Sequence, residues 1–283
     1  MSSLKKLYRL LKQLPHIYKY GGITNINVSK IDYHGSLFPP TTLVLVTGGT
    51  SGIGLEIAKR FHEEGATVVV TGRNAEKLNA VNTEMSSNRF ITLQWDVTDI
   101  QSIQNKIQQI EEQTGKHISI LVNNAGTYAR THFPNTTSED WDEVYLTNLK
   151  GLYFITQHMV KLWMNRQDEG IHKVLNIASQ GGFVGANNAY RMTKWDIRGF
   201  TKHLGQAYSK YGIISNAIAP GIIKTNMQPE FIKQGDNAYT DLNPAHRVGL
   251  PIEIAELALF LSSPASNFIV GETICCDGGY NIK

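Results

Sequence analysis

From Thr42 onward, short apolar stretches rich in β-branched residues alternate with longer amphipathic stretches, and this alternation restricts the fold more than any other feature. Most of the short stretches are almost continuously apolar, as strands covered on both faces of a sheet should be. Strands that alternate with helices predict a parallel sheet that binds ligands at the carboxyl ends of its strands. We therefore predict a single α/β domain with a doubly wound sheet of seven parallel strands and helices on both faces. The predicted strands are 42–48, 67–72, 90–96, 118–126, 173–179, 213–221 and 273–279, and the predicted helices are 52–64, 75–86, 99–114, 138–165, 188–211 and 252–262.

The charge and cysteine content exclude several classes of protein. The formal net charge is +3, and the first twenty residues hold five cations and no acid, so the rest of the chain is close to neutral. A near-neutral body predicts no nucleic-acid partner. No stretch approaches the ~20 apolar residues of a membrane-spanning helix, so we predict no span. Cys275 and Cys276 are adjacent and cannot cross-link the fold, which suggests a reducing, cytoplasmic compartment. The nine histidines show no metal-ligand spacing, and we predict no metal site.

Residues 1–41 do not follow the alternation, and we interpret them as an N-terminal extension and connector to the domain at 42–283. Leucines and a tyrosine recur on one helical face of residues 4–14, away from the basic residues, which predicts a basic amphipathic helix. Such a helix could contact an anionic membrane surface or belong to a targeting peptide. Because an apolar helical stripe usually faces protein, we favour packing on its own domain or on a sister subunit.

The first predicted strand runs directly into a glycine-rich turn, TGGTSGIG, from Thr47 to Gly54, and a helical pattern follows at once. Such a turn lets the backbone approach a pyrophosphate, while the helix N-terminus offers free N–H groups and a positive dipole end. Many tight turns use glycine, but this one occupies the first βα turn of a Rossmann-type pattern and therefore predicts a dinucleotide site. The predicted cofactor-binding residues of the turn are Gly48, Thr50, Ser51, Gly52, Ile53 and Gly54.

The ends of the second and third predicted strands bear on the choice of cofactor. An acidic residue after the second strand would hold the 2′-hydroxyl of NAD, whereas an arginine can bind the 2′-phosphate of NADP. Arg73 stands there, which favours NADP(H) over NAD(H); the alternative is that Arg73 is a solvated loop charge. Asp96 and Val97 end the third strand, and the Asp96 carboxylate could accept from the adenine amino group or cap the next helix.

Six motifs then follow one another in an order and approximate spacing that resemble the classical short-chain dehydrogenase/reductases. The resemblance extends from residue 42 to residue 279. A single motif is common by chance, but six in order, each in a suitable structural place, are not. They are TGGTSGIG (47–54), NNAG (123–126), Asn148 in TNLKG, Ser179 in NIAS, YRMTK (190–194) and PG (220–221).

The resemblance assigns the catalytic roles. It implies that Tyr190 exchanges a proton with the substrate oxygen as a ketone and a secondary alcohol interconvert. An isolated phenol has a pKa of about 10, and a cationic Lys194 on the same helix face would lower that pKa towards neutrality. By resemblance, Lys194 also hydrogen-bonds the nicotinamide ribose, Ser179 hydrogen-bonds the substrate oxygen, and Asn148 binds a water that connects Lys194 to solvent.

Two further motifs complete the cofactor site that the resemblance implies. NNAG is similar to a turn that stabilises the sheet beside the adenosine ribose, with Asn123 in a structural role. PGIIKT resembles the segment that meets the nicotinamide carboxamide through a backbone group and a hydroxyl. The expected cofactor neighbours in these motifs are Asn124, Ala125, Gly126, Pro220, Gly221, Ile223 and Thr225.

One interval departs from the family pattern. Ser179 precedes Tyr190 by eleven positions, about two fewer than the family's commoner interval. The shortened loop predicts an altered pocket wall, into which Gln180 and Asn187 could project. Residues 222–247, after the sixth strand, predict a substrate lid, and their charges give no sign of an anionic substrate.

We therefore predict an NADP-dependent oxidoreductase acting on a small carbonyl or alcohol substrate, such as a 3-oxoacyl thioester, a sugar or a polyol. A non-catalytic dinucleotide-binding sensor or scaffold is the alternative, although such proteins usually lack a residue of the catalytic set. Two other enzyme types of the same superfamily fit less well. An enoyl reductase would have its lysine at position 197, where this chain has isoleucine. An epimerase of the extended branch would have a glycine at position 51, where this chain has serine. The resemblance also implies a homodimer or homotetramer formed through the two long helices. An apolar stripe compatible with such an interface, or with core, is Trp195, Phe200, Leu204, Ala207 and Tyr211.

Overall fold

The computed structural model describes residue 30 and residues 36–166, 170–225 and 240–282. Seven strands form one sheet in the order β3-β2-β1-β4-β5-β6-β7, and every neighbouring pair is parallel. The predicted doubly wound seven-stranded sheet is confirmed. The strands are β1 (Leu43–Val46), β2 (Thr67–Gly72), β3 (Phe90–Gln94), β4 (Ile118–Asn123), β5 (His172–Ile177), β6 (Ile213–Pro220) and β7 (Thr273–Cys276).

The helices also follow the predicted order, with one interruption. The predicted helix 138–165 contains a π-helical turn, Leu146–Gly151, that separates two α-helices. Residues 99–114 begin with a short 3-10 turn, Ile100–Ser102. The α-helices are α1 (Gly52–Glu63), α2 (Ala75–Met85), α3 (Ile103–Thr114), α4 (Ser138–Tyr145), α5 (Leu152–Arg166), α6 (Ala189–Tyr208) and α7 (Pro251–Ser262).

Alternating residues of strand β1 contribute to two separate layers of the core, one on each face of the sheet. In β1, Val44 and Val46 face a cluster that includes residues of α1 and α7, whereas Leu43 and Leu45 face a cluster that includes α3 and α5. All four side chains are fully buried. Side chains that alternate between the faces of a strand require cover on both sides, which explains the continuously apolar sequence.

A ladder of buried amides and hydroxyls crosses the second layer at the carboxyl ends of β4 and β5. The Asn123 amide donates to the Thr156 hydroxyl and to the Asn176 side-chain oxygen, each at 2.9 Å. The Asn176 amide in turn donates to the Thr201 hydroxyl at 2.9 Å. These bonds fix β4 and β5 against α5 and α6, and so set the position of the helix that carries Tyr190.

Most of the predicted extension and the middle of the predicted lid lie outside the described residues. Next to the first strand, Phe38 is buried, and its ring centroid lies 5.1 Å from that of Phe61 on α1. Residues 4–14 are outside the described ranges, as are residues 226–239 of the lid. Within the described ranges, no helix is both long and apolar enough to cross a bilayer.

A buried ion pair joins α1 to α7 on the first face of the sheet. The side chain of Arg60 is 3% exposed, and its Nε donates to Glu256 Oε1 at 2.6 Å. The same guanidinium also contacts Glu63 and Glu64. Burial opposes its charge, but these carboxylates together raise the pKa of Arg60 above its ordinary value.

We expect Glu256→Ala to lower the free energy of unfolding by about 1.5–3 kcal/mol, the usual cost of losing a hydrogen bond to a charged group. The matched control is Glu84→Ala, which removes an exposed carboxylate paired with Lys59, and it should cost at most about 1 kcal/mol. Urea denaturation measures both. Equal losses in the two variants would contradict a structural role for the buried pair.

Candidate active site

A cavity of about 680 Å³ opens at the carboxyl edge of the sheet, where the strand order reverses between β1 and β4. All but one of the predicted catalytic and cofactor-binding residues line this one cavity, although they come from seven separate parts of the chain. The exception is Asn148, which is fully buried beside it. The lining includes Gly48, Thr50, Ser51, Gly52, Ile53, Gly54, Arg73, Asp96, Val97, Asn124, Ala125, Gly126, Ser179, Tyr190, Lys194, Pro220, Gly221, Ile223 and Thr225.

The glycine turn is held against the NNAG turn by hydrogen bonds. The Asn124 amide donates to the carbonyls of Thr47 and Gly48 at 3.1 and 2.9 Å. A Cβ atom at Gly54 would lie 2.2 Å from the Asn124 Nδ2 atom, and one at Gly48 would lie 2.8 Å from the Ala125 Cα atom. Gly48 also has a φ of 65°, a conformation that favours glycine. Close packing therefore requires glycine at both positions.

The turn fits a pyrophosphate. Ser51 is the N-cap residue of α1 and has an extended conformation. Its side chain makes no capping hydrogen bond to α1. The first N–H groups of α1 therefore point into the cavity without a side-chain partner at the N-cap, at the positive end of the helix dipole. A dinucleotide phosphate is the group that such a cradle suits.

Two basic residues, Arg73 and Lys77, lie at the end of the cavity next to β2 and β3. Arg73 is exposed, and its Nη1 atom lies 4.0 Å from Asp96 Oδ2. The other Asp96 oxygen accepts from the backbone and hydroxyl of Thr98, so the carboxylate is fixed in its turn. Asn74 and Lys77, at the start of α2, line the same end, and the sequence analysis missed both.

The hydroxyl-bearing side chains of Ser179 and Tyr190 lie at the end of the cavity next to β5. Asn188 caps α6 by accepting from the Arg191 backbone at 2.9 Å, which places Tyr190 in the first turn of that helix. Ser179 follows β5, and its side chain is a neighbour of Tyr190, since a Cβ atom on Gly181 would lie 3.4 Å from Ser179 Oγ and 3.9 Å from Tyr190 Cε1. The Lys194 Nζ atom lies 5.4 Å from the centre of the Tyr190 ring and donates to the Ile177 carbonyl at 2.8 Å.

Burial dominates the electrostatics of this group. It raises the pKa of Tyr190, while the neighbouring Ser179 side chain opposes the rise and the nearby Tyr128 adds to it. Burial also lowers the pKa of Lys194 to about 8. The expected lowering of the Tyr190 pKa by Lys194 is therefore not found, because the ammonium is directed at a carbonyl and desolvation of the phenol outweighs other effects.

Asn148 lies in the π-helical turn and not in the cavity wall. Its Oδ1 accepts from the Thr127 backbone at 2.7 Å, and its amide donates to the Thr127 carbonyl at 2.9 Å. A weaker contact of 3.4 Å joins the amide to the Thr193 hydroxyl. The Asn148 side chain thus holds Thr127, which follows the NNAG turn, against α6, and these contacts are structural. The expected water that would connect Lys194 to solvent through Asn148 stays a prediction. π-helical turns are frequent at functional sites.

The shortened loop still brings Ser179 and Tyr190 together. The Ser179 hydroxyl accepts from the Gly181 backbone at 3.0 Å, which turns the chain sharply after β5. Gln180 lines the cavity as expected. Asn187 does not line it, since this residue is exposed and its carbonyl accepts from the Phe133 backbone at 2.9 Å.

Several lining residues escaped the sequence analysis because they belong to loops that only the folded chain brings together. Thr127 and Tyr128 continue the NNAG turn, and Arg191 directly follows Tyr190. Their position after a strand end or next to a motif was the one available signal. The further lining residues include Asn74, Lys77, Trp95, Thr127, Tyr128, Thr147, Val184, Arg191 and Tyr280.

Comparisons with known proteins agree with this geometry. A protein-family model described as "Enoyl-(Acyl carrier protein) reductase" matches residues 48–281. The 3-oxoacyl-[acyl-carrier-protein] reductase FabG of Aquifex aeolicus is 34% identical over 240 residues, covering 83% of this chain and 95% of the relative. Gluconate 5-dehydrogenase of Gluconobacter oxydans is 34% identical over 247 residues, covering 84% and 94%. The solved structure "ElxO with NADP Bound" is similar with a TM-score of 0.78 and 30% identity, covering 86% of this chain and all of that one.

Replacing Gly54 with Ala tests the packing of the two turns. The new methyl group would collide with Asn124, so we expect lower stability in urea and weaker NADPH binding by fluorescence. Gly199→Ala is the control, because no atom lies within 4 Å of a Cβ there, and in the middle of α6 it should stabilise by roughly 0.5–1 kcal/mol. If Gly54→Ala behaves like the control, the turns do not need this close contact.

Proposed function

The chain belongs to the short-chain dehydrogenase/reductase family, whose members are NAD(P)-dependent oxidoreductases acting on CH–OH groups, and from this premise we propose that it reduces a ketone to a secondary alcohol with NADPH. The observation that carries the proposal is that Ser179, Tyr190 and Lys194 line the same cavity as the glycine turn. The reverse reaction uses the same groups.

In the proposed reaction, the glycine turn and Arg73 would hold NADPH, which would supply the hydride that the carbonyl carbon accepts. Tyr190 donates its proton to the carbonyl oxygen, and the Ser179 hydroxyl hydrogen-bonds that oxygen as negative charge develops on it. The Lys194 ammonium lies close enough to stabilise the phenolate that remains. The resemblance further assigns Lys194 to the nicotinamide ribose, and assigns Asn148 to a water that returns a proton from solvent.

The raised pKa of Tyr190 fits its proposed role as a proton donor. A buried phenol with a raised pKa stays protonated at neutral pH, which is the form that reduction of a carbonyl compound needs.

NADP(H) is the proposed cofactor, with NAD(H) as the alternative. Arg73 lines the cavity at the end of β2. The two residues before it, Thr71 and Gly72, carry no carboxylate that could bind the 2′-hydroxyl of NAD. Asn74 and Lys77 add polar and basic groups beside it. The similar structure ElxO is described with NADP bound, which supports the same choice.

The names of the relatives suggest the substrate classes to test. FabG is named for a 3-oxoacyl thioester and the dehydrogenase of Gluconobacter oxydans for gluconate, so these and other small ketones are candidates. The family model carries an enoyl reductase description, but Tyr190 and Lys194 are four residues apart and position 197 is Ile197, which supports carbonyl reduction.

Assembly and location complete the proposal. We expect a homodimer or homotetramer that uses the long helices α5 and α6. The predicted stripe is divided in the monomer, because Leu204 is buried in the core whereas Trp195 and Tyr211 are exposed. The unpaired Cys275 and Cys276 agree with the expected reducing, cytoplasmic location.

The direct test is NADPH consumption, followed at 340 nm, against a panel of 3-oxoacyl thioesters, keto sugars and small ketones. We expect turnover with at least one class, and Tyr190→Phe should lower that rate roughly 10²- to 10⁴-fold because the proton donor is lost. Tight NADPH binding without turnover of any carbonyl compound would favour the non-catalytic sensor or scaffold.

Arg73→Ala should raise the Kd for NADPH roughly 10- to 100-fold, because a charged hydrogen-bond partner of the 2′-phosphate is lost. The Kd for NADH should change little, since that cofactor has no 2′-phosphate. Fluorescence titration measures both. An equal loss for the two cofactors would contradict the assignment.

The pH dependence of reduction reports on Lys194. Because burial lowers its pKa to about 8, Lys194 is charged below about pH 8 and loses its charge as the pH rises through that value. Tyr190, whose pKa is raised, stays protonated over the same range. We therefore expect kcat/KM to fall above about pH 8 in the wild type.

Lys194→Arg, which remains charged, should move this fall to higher pH, and Lys194→Ala should be slow and show no inflection near pH 8. An inflection near pH 8 that survives in both variants would assign it to another group.

A further inference from the structure

One arginine of the cavity is not paired with a carboxylate. Arg191 forms no ion pair within the described ranges, and its Nη1 atom donates to the Gly185 carbonyl at 3.0 Å. Most other arginines of the described chain do contact a carboxylate. They are Arg60, Arg73, Arg130, Arg166 and Arg247.

The side chain of Arg191 begins beside the reactive hydroxyls. The position of a Cβ atom on Gly181 would lie 3.3 Å from the Arg191 Cγ atom, 3.4 Å from Ser179 Oγ and 3.9 Å from Tyr190 Cε1. The guanidinium then reaches Gly185, at the open end of the loop that follows Ser179. Arg191 thus lines the cavity beside Ser179 and Tyr190, and its side chain extends to the exposed residue Gly185.

The charges that line the cavity are unevenly distributed. Arg73 follows β2, Lys77 lies in α2 and Asp96 follows β3, so these three residues are far along the sheet from β5. At the reactive end, the charged lining residues of the described chain are Lys194 and Arg191, and both are cations. Lys194 is buried and donates to Ile177, which leaves Arg191 as the cation available to a bound substrate.

We propose that Arg191 binds a carboxylate of the substrate, so that this enzyme prefers oxo acids over neutral ketones. The guanidinium carries five N–H donors in a planar fork that matches a carboxylate, and its bond to Gly185 leaves the other donors for a ligand. The bond to Gly185 also fixes the side chain, which lowers the entropy lost on binding. The inference deepens the proposed carbonyl reduction and rests on it.

The test compares oxo acids of four to six carbons with their methyl esters, which keep the ketone and lose the charge. With NADPH, the wild type should reduce the acids with a kcat/KM roughly 10- to 100-fold higher than the esters, because a charged hydrogen bond is made only with the acids. Arg191→Met keeps the aliphatic stem and should abolish the preference by raising KM for the acids. Arg191→Lys should restore part of it.

Arg130→Ala is the matched control, because it removes an exposed cation paired with Glu143 outside the cavity lining. It should leave the preference for acids unchanged. Equal use of acids and esters by the wild type, or a preference that survives in Arg191→Met, would overturn the inference and leave carbonyl reduction intact.

Binding separates this inference from the proposed reaction. With NADP⁺ bound, the corresponding hydroxy acids should raise the Tm of the wild type but not of Arg191→Met, whereas their methyl esters should raise neither. Stabilisation of this kind without turnover would support the carboxylate site and count against the reaction. Absence of both turnover and Arg191-dependent stabilisation would contradict the two proposals together.

A second inference comes from hydrogen bonds between α6 and the shortened loop. The indole of Trp195 donates to the Val184 carbonyl at 2.9 Å, and the Arg198 guanidinium donates to the Gly182 carbonyl. The Arg198 guanidinium carbon also lies 3.5 Å from the centre of the Phe183 ring. Two side chains of α6 thereby hold three consecutive residues of the loop.

We infer that Trp195 and Arg198 are positioning residues that set the Ser179 hydroxyl against Tyr190. Gly182 packs so tightly on α6 that a Cβ atom there would lie 2.7 Å from the Lys194 carbonyl. Since the Ser179 carbonyl accepts from the Gly182 backbone at 2.9 Å, displacement of Gly182 would shift Ser179 directly. The inference rests on the proposed reaction, in which Ser179 contacts the substrate oxygen.

A double-mutant cycle tests this coupling. Trp195→Phe keeps the ring and loses the N–H donor, and it should lower kcat for reduction roughly tenfold with KM for NADPH unchanged. In a Ser179→Ala background the same change should have little effect, because residues that act through one another are not additive. Arg198→Lys should retain more activity than Arg198→Met.

Tyr211→Phe, an exposed aromatic change after α6, is the control and should leave kcat unchanged. Urea denaturation of each variant identifies any that fail to fold. Additive effects of Trp195→Phe and Ser179→Ala in folded proteins would overturn the positioning role. Thermal stabilisation by NADPH should be equal in wild type and Trp195→Phe, so a loss of that stabilisation would likewise contradict a role confined to Ser179.

Discussion

The hydrogen bonds from the Asn124 amide to the carbonyls of Thr47 and Gly48 are the contact on which the rest of the site depends. They join the ends of β1 and β4 at the point where the strand order reverses, and a doubly wound sheet has its ligand crevice there. Gly54 must be a glycine for the amide to fit. One side chain thus closes the floor of the cavity and leaves the N-terminus of α1 facing it.

The reactive end is built from polar groups that the fold desolvates. Asn123, Asn176 and Thr201 fix α6 to the strands through buried hydrogen bonds, while Asn148 fixes Thr127 from the other side. Buried polar networks of this kind specify one arrangement strongly, because each unmet hydrogen bond would be costly. The same burial keeps the Tyr190 phenol protonated and lowers the pKa of Lys194 to about 8. Packing and proton chemistry therefore have a common cause.

Much of this arrangement could be predicted from the sequence because it depends on local patterns. Continuous apolar strands and a glycine turn placed between a strand and a helix predict the sheet and its crevice directly. The position in the fold mattered more than spacing, since Tyr8 and Lys12 have the same four-residue interval as Tyr190 and Lys194.

Other features depend on the packed structure and leave no local signal. The π-helical turn at Asn148 does not disturb an amphipathic pattern, and the pKa of Tyr190 follows from desolvation by residues distant in sequence. Arg191, Lys77 and Tyr128 reach the cavity only because loops from separate strands converge.

We propose that this site brings a hydride from NADPH and the proton of Tyr190 to one carbonyl group. The most direct measurement is mass spectrometry of the alcohol formed from the best ketone with NADPH that carries deuterium at both C4 positions. The account predicts one deuterium on the carbinol carbon and a hydroxyl proton from solvent, whereas an alcohol without carbon-bound deuterium would contradict it.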